Sequence, residues 1–337
     1  MKKLLLLGPM ENKNDLTRTG GVIVLFSDLL HQCDKHDINY FVIDTNKAHY
    51  SNKVTALLSI WFMLFIKMRH YTHVSLHGTA NDYMFIAPVA VFLAKLFGKT
   101  VSLRKFAGSF YEIYDTMNFL LKSVVSWTLK KSDANFFETK YLVDYFSRYN
   151  KNTYWFPNVR EKPHMIRQGI FQKRFIFLGK VTKEKGIIEL LEASNQLDNS
   201  YIIDLYGYIG DDLLTFNFKG YKAKYKRALA ATDVLNTLRE YDVLVLPSYI
   251  EGYPGVIIEA LSVGLPVIAT NLEGIREMID ERSSVFIEPK NVDQLKQAIE
   301  SFTETNYIER SEAALKQFNQ FETSHQTEQF FAHIGLL

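Results

Sequence analysis

The 337-residue chain has a single cysteine, Cys33, which excludes an intrachain disulfide and fits a reducing compartment. No apolar run approaches the roughly 20 residues needed to span a bilayer. The opening Met1–Gly8 has too short an apolar core for a secretory leader and reads as a first strand. The chain lacks internal repeats and low-complexity segments. Its first loop, Gly8-Pro-Met-Glu11, lacks G-x-G-x-x-G spacing, which argues against a dinucleotide dehydrogenase. No Asp-x-Asp turn stands out as a metal–diphosphate site. What is present is ordinary for a globular protein, 47% hydrophobic and 23% charged, with length enough for two domains. The net charge of +2 hides an asymmetry. Residues 1–160 carry 20 Lys+Arg against 12 Asp+Glu, whereas residues 161–337 carry 19 against 25. The basic N-terminal half is expected to face an anionic surface.

Hydrophobic patterning predicts alternating strands and helices. In the first half, strand-like runs are Lys3–Leu7, Tyr40–Asp44, His73–Leu76, Thr100–Arg104, Ala134–Phe137 and Thr153–Phe156. Helical patterns lie between them, including Gly21–Cys33, Met84–Phe97, Phe119–Lys131 and Lys140–Tyr149. The segment Arg160 to Gln172 has no clear periodicity and reads as a linker. The alternation restarts at Arg174–Leu178 and runs through Tyr201–Tyr206, Asp242–Leu246 and Val267–Thr270. Such alternation predicts an α/β chain of two doubly wound Rossmann-like domains facing across a cleft. The expected division is 1–160, 161–316, and a helical tail, 317–337.

The most informative stretch is Glu251-Gly-Tyr-Pro-Gly-Val-Ile-Ile-Glu259. It joins the strand-like run ending at Ser248 to a helix-like run, Val256 to Ser262. A helix N-terminus offers unpaired N–H groups and a positive dipole end, which suit a phosphate. Gly252 and Gly255 carry no Cβ and let a ligand approach the backbone. Carboxylates accept hydrogen bonds from sugar hydroxyls, so phosphate and sugar together point to a nucleotide sugar. Glu259 is expected in the first turn of its helix, where the dipole alone would also favour it.

Behind this stretch come Gly264-Leu-Pro-Val-Ile-Ala269 and Glu273-Gly-Ile-Arg-Glu277, in order. Together the three pieces resemble the C-terminal signature of family 4 glycosyltransferases, which are retaining enzymes of the GT-B fold. The resemblance implies that Glu259 holds the ribose diol of the nucleotide. It implies that Glu251 contacts the donor sugar or stabilises positive charge developing at the anomeric carbon. The backbone at Gly252, Tyr253, Pro254, Gly255 and Val256 would line the sugar–phosphate pocket, with Pro254 giving no N–H. Phe177-Leu-Gly-Lys-Val-Thr-Lys-Glu-Lys-Gly186 resembles the family's diphosphate grip. There Lys185-Gly186 matches, while Lys180 stands where Arg is usual and keeps the charge without the bidentate fork. Lys183 reads as plain surface.

Weaker likenesses lie in the first half. Thr19-Gly20-Gly21 resembles the family's N-terminal glycine loop, which lies against donor phosphates or acceptor. His77, at a strand end, corresponds to a histidine that faces the donor sugar in many relatives. The next strand end, Arg104 to Ser109, lacks the histidine found there in many relatives. Lys105 or the Gly108–Ser109 backbone is expected to meet acceptor phosphate instead. Asn158 reads as a hinge residue. The basic run Lys219 to Arg227 is expected to be a solvated face, not a nucleic-acid site. The apolar block Leu57–Ile66, with Lys67 and Arg69, and the helix-like Phe119–Lys131 are expected at an anionic membrane surface.

The resemblance therefore implies a retaining glycosyltransferase that uses a nucleotide diphosphate sugar, expected to be a UDP-sugar, and needs no metal cofactor. Its acceptor would be a glycan or lipid-linked oligosaccharide of bacterial surface-polysaccharide synthesis. Its place would be cytoplasmic, peripheral on the inner face of the plasma membrane. A sugar-nucleotide epimerase of the same fold, or a catalytically silent binding subunit, remain alternatives at this level.

Overall fold

The computed structural model describes all residues except 1–2, 12–20, 107, 109 and 168. It divides into two units, residues 1–159 with 323–337, and residues 160–322. Each unit is built on a six-stranded sheet in which neighbouring strands pair parallel.

The first sheet consists of β1 (Lys3–Gly8), β2 (Asn39–Asp44), β3 (His73–Gly78), β4 (Thr100–Lys105), β5 (Ala134–Phe137) and β6 (Thr153–Trp155). Its order is β2-β1-β3-β4-β5-β6. Helices cover both faces, so its strands are near-continuous apolar runs rather than alternating ones. Leu5, Leu7, Val74, Leu76, Val101 and Leu103 face one core. Leu4, Leu6, Phe106, Phe136 and Phe156 face the other, one residue out of phase. The helix Thr323–His333 closes this second core, with Phe330 stacked 5.2 Å from Phe156 and edge-on to Phe136 at 4.9 Å.

The second sheet consists of β7 (Arg174–Leu178), β8 (Ile202–Tyr206), β9 (Lys224–Tyr225), β10 (Val243–Leu246), β11 (Val267–Thr270) and β12 (Ser284–Ile287). Its order, β12-β11-β10-β7-β8-β9, is that of a dinucleotide-binding Rossmann sheet. The chain winds outward from β7 in one direction and from β10 in the other.

Three expectations need correcting. The segment expected as a linker is tied into the second unit. Arg167 pairs with the buried carboxylate of Asp242, which also accepts from the backbone N–H of Gln172 at 2.9 Å and Arg174 at 2.8 Å. The tail boundary lies later than residue 317, because the helix Glu304–Phe318 and the turn Asn319–Phe321 carry the second unit to 322. The helix expected over Met84–Phe97 is two, Ala80–Phe85 and Ala87–Leu96, broken at Ile86. Pro88 explains the break, since it lacks an N–H for a helix interior and fits a first turn.

Candidate active site

In an open parallel sheet, ligands bind beyond the carboxyl ends of the strands where the winding reverses. In the second unit that point lies between β7 and β10. The loop after β7 carries Lys180 and Lys185, and the loop after β10 carries Glu251 to Gly255. Backbone contact locks the two loops together. Gly186 has φ +70°, and a Cβ there would sit 2.1 Å from the Pro247 carbonyl oxygen. Glycine is therefore required both by conformation and by space. The Tyr249 N–H donates to the Glu184 carbonyl at 2.8 Å.

Across this junction the Lys185 ammonium donates to Glu251 Oε1 at 2.6 Å. Ser248 Oγ, fully buried, donates to the same oxygen at 2.7 Å. The Ser248 carbonyl in turn accepts from Thr270 Oγ1 at 2.7 Å, which fixes the loop to β11. Glu251 is thus held by a hydroxyl and a cation, in a half-buried position from which both charged groups can reach a ligand. Lys180 is exposed, its stem passing over Gly210. Lys183 is exposed as expected, and its backbone N–H donates to Asp212 Oδ2 at 2.8 Å.

The helix Gly255–Ser262 starts after Pro254, with no side-chain cap on its first turn. Its leading N–H groups are the unpaired donors that an anion satisfies. Tyr253 is buried, its ring edge-on to Phe321 at 6.3 Å. Its side chain anchors the turn and leaves the backbone to the site. Gly274 packs so tightly under the turn that a Cβ would sit 1.9 Å from the Gly252 carbonyl oxygen. The Glu273-Gly-Ile piece therefore buttresses the loop rather than facing a ligand.

Glu259 is the fifth residue of its helix, not a first-turn residue as expected. The dipole explanation for it lapses, because the field is strongest in the first turn. Instead it accepts from Arg160 Nε at 2.8 Å, with the Nη2 also 2.8 Å from the same Oε1. The guanidinium lies directly against Gly255, where a Cβ would meet Nη2 at 2.8 Å. Sequence reasoning missed Arg160. Its only signal was a cation just past Pro157-Asn158-Val159, and its partner lies 99 residues further on.

The first unit treats its polar groups differently. His77 ends β3 fully buried, ringed by Phe26 and Phe330 at 5.5 Å and Phe106 at 6.4 Å. Its Nε2 bonds Ser75 Oγ at 2.9 Å, at the end of a hydrogen-bonded chain that runs inward from the exposed Thr100 through His73, Ser102 and Ser75. Burial, then the nearby Arg104 and His73, hold its imidazole well below the ordinary histidine range. Arg104 and Lys105 at the end of β4 are buried too. Arg104 lies 3.6 Å over the Phe156 ring and donates to the Pro157 carbonyl at 3.0 Å. Lys105 sits over Phe110 and bonds the Phe106 carbonyl, and burial brings its ammonium down to about 8. Lys105 is thus enclosed rather than open to an acceptor phosphate, while Ser109 lies outside the described residues. Gly20 also lies outside them; Gly21 opens the helix Gly21–Lys35, where a Cβ would meet nothing within 4 Å.

A family model described as "Glycosyl transferases group 1" matches residues 166–319, the span that holds Lys180, Lys185, Glu251 and Glu259. Residues 166–319 are thus similar to a group 1 glycosyltransferase domain. Among curated relatives is the putative teichuronic acid biosynthesis glycosyltransferase TuaC of Bacillus subtilis, 34% identical over 128 residues, 38% of this chain and 32% of that protein. Another is the UDP-Gal:alpha-D-GlcNAc-diphosphoundecaprenol alpha-1,3-galactosyltransferase of Escherichia coli, 30% identical over 152 residues, 42% of this chain and 39% of that protein. The chain thus spans 32% and 39% of the lengths of these two relatives. The whole chain superposes on Anabaena HepE, crystallised with UDP, with TM-score 0.74 at 12% identity over 100% of both chains. The lipopolysaccharide outer core galactosyltransferase WaaB gives TM-score 0.68 at 13% identity, over 98% of this chain and 99% of that one. With two parallel six-stranded sheets and these neighbours, the fold of this chain is GT-B.

Proposed function

We propose that the protein is a retaining, metal-independent glycosyltransferase that moves a sugar from a UDP-sugar to a glycan or lipid-linked acceptor. The observation that carries this reading is the Lys185–Glu251 pair beside the uncapped N-terminus of Gly255–Ser262, at the winding reversal of the second sheet. The donor diphosphate lies on Lys185, Lys180 and the N–H groups of Gly255 and Val256. Glu259 accepts the ribose hydroxyls, and Arg160 orients its carboxylate. Glu251, released from Lys185 when the diphosphate takes the ammonium, faces the donor sugar. The bond from the anomeric carbon to the diphosphate oxygen breaks as the acceptor oxygen bonds on the same face. The departing phosphate oxygen takes the acceptor proton. The lysines stabilise the charge that grows on the diphosphate, an electrostatic term that typically supplies several kcal/mol. HepE's crystallisation with UDP and the UDP-galactose in the name of the Escherichia coli relative support the donor class.

The acceptor is assigned to the first unit, in contact with an anionic membrane. No helix among the described residues is long and apolar enough to cross a bilayer. The helix Phe119–Lys131 exposes Phe119 by 82% and Leu120 by 75%, alongside Lys122, Lys130 and Lys131. That composition suits a helix lying in the headgroup layer. His77 acts, in this reading, as a neutral residue that shapes the end of β3. The test is transfer of label from UDP-[14C]glucose, UDP-[14C]galactose or UDP-[14C]N-acetylglucosamine to a membrane lipid extract in EDTA. Product that is lost in Lys185→Ala supports the proposal. Conversion of the donor with no labelled acceptor product overturns it in favour of an epimerase.

A further inference from the structure

The helix Lys53–Met68 is apolar on two faces. Ala56, Ile60, Leu64 and Met68 point into the core. Val54, Leu58 and Phe62, at the same four-residue spacing, are 66%, 57% and 65% exposed. A helix turned to water carries polar residues on its second face, and one apolar all round is normally covered. The exposed stripe borders a cavity of about 530 Å³ against the helix Ala80–Phe85, walled by Val54, Leu57, Leu58, Trp61, Phe85 and Ile86. That volume is within the range of small-molecule sites. The Trp61 indole N–H is spent on the Phe85 carbonyl at 3.1 Å, which ties the walls together and leaves a lining that is hydrocarbon apart from Asn81 and the charged mouth.

The mouth of the cavity is charged. Lys47, in the turn after β2, and Lys53 line it with Asp82, in the helix after β3. The mouth therefore opens at the carboxyl edge of the first sheet, where such folds bind ligands. Asp82 Oδ2 is committed to the backbone N–H and hydroxyl of Thr79, at 2.8 and 2.9 Å. Its other oxygen is 3.6 Å from Lys47. Lys53 is the first residue of its helix, with no acid in that turn, so a cation sits at the positive dipole end. An anion at the mouth offsets that placement.

We infer that this cavity holds the hydrocarbon chain of a polyprenyl or alkyl lipid phosphate, with the phosphate on Lys47 and Lys53. The inference rests on the transferase reading for its purpose and identifies the acceptor's lipid as the part recognised. A peptide fits poorly, because most of its N–H and C=O groups would face hydrocarbon, with Asn81 the one amide on this wall.

The test is a titration of the full chain with farnesyl phosphate, read by calorimetry, beside farnesol and inorganic phosphate. The expected result is saturable binding of farnesyl phosphate, at least tenfold weaker binding of farnesol, and none of phosphate. Leu58→Glu and Lys53→Glu, both at exposed positions, should each weaken binding at least tenfold. Ile308→Glu, an exposed position in the second unit, should leave it unchanged. Equal binding by Leu58→Glu and the native chain overturns the inference. So does a self-association abolished by Leu58→Glu without any lipid phosphate binding, which would make the face a contact between copies. A thermal shift with UDP on the same samples separates the two readings. Loss of lipid binding with the UDP shift intact faults only a variant's cavity, whereas a native chain that binds farnesyl phosphate but no UDP faults the transferase reading alone.

Discussion

Both sheets are parallel and doubly wound, and they use charge in opposite ways. In the second unit the cations of the site are partly exposed and paired with carboxylates, as Lys185 with Glu251 and Arg160 with Glu259. In the first unit the strand-end cations Arg104 and Lys105 are enclosed by rings and carbonyl oxygens. Burial lowers Arg104 to about 9 and Lys105 to about 8. A paired, half-exposed cation can exchange its partner for a phosphate at little cost. A buried one cannot be reached, and its desolvation weighs against folding. One edge is thus suited to binding an anion. The other places its available cations, Lys47 and Lys53, further out beside an apolar cavity.

The sharpest way to break this comparison is Lys185→Ala. It should lower turnover by roughly 10²–10³, as loss of a group that stabilises developing charge does, measured as kcat with a UDP-sugar. Unchanged kcat would place the diphosphate elsewhere. Next in size is Glu259→Ala. Losing a charged hydrogen bond to the ribose should weaken UDP about 10–100-fold by calorimetry, with a smaller change in kcat at saturation. Arg160→Leu, which frees Glu259 from its guanidinium, should raise the donor KM several-fold with kcat little altered.

Lys105→Met tests the other edge. The folded value of about 8 lies below the ordinary lysine value of 10.5, so the unfolded chain binds more protons between them. Stability lost to burying this charge is therefore fully lost below pH 8 and regained as pH rises towards 10.5. The methionine variant should melt higher than the native chain at pH 7, by roughly 4 °C, and the gain should shrink by pH 9.5. A gain independent of pH would mean the buried ammonium is not its source. The smallest effect is expected of Lys180→Arg, at most a few-fold tighter UDP from a restored fork.

Which parts were legible in the sequence follows from distance along the chain. The Glu251–Glu259 turn could be read because its strand, turn and helix are consecutive, and the glycines mark where backbone meets backbone. Arg160 could not, because its role depends on a partner that only folding brings near. Glu259 reads as a first-turn residue from the sequence because the apolar pattern starts its helix at Val256, one residue later than the observed Gly255. The enclosure of Arg104 and Lys105 was hidden for a different reason. In a parallel sheet covered on both faces, adjacent residues point to opposite cores, so both members of a charged pair end up inside. The break at Ile86 was available in Pro88 but was outweighed by a continuous apolar pattern on either side.

The most direct test of the central claim, that the diphosphate binds at the carboxyl edge of the second sheet, is calorimetric titration of UDP and uridine into the native chain and Lys185→Ala. The account predicts that the native chain prefers UDP over uridine and that the variant loses at least tenfold of that preference while its uridine affinity holds. An unchanged preference for UDP in Lys185→Ala would contradict it.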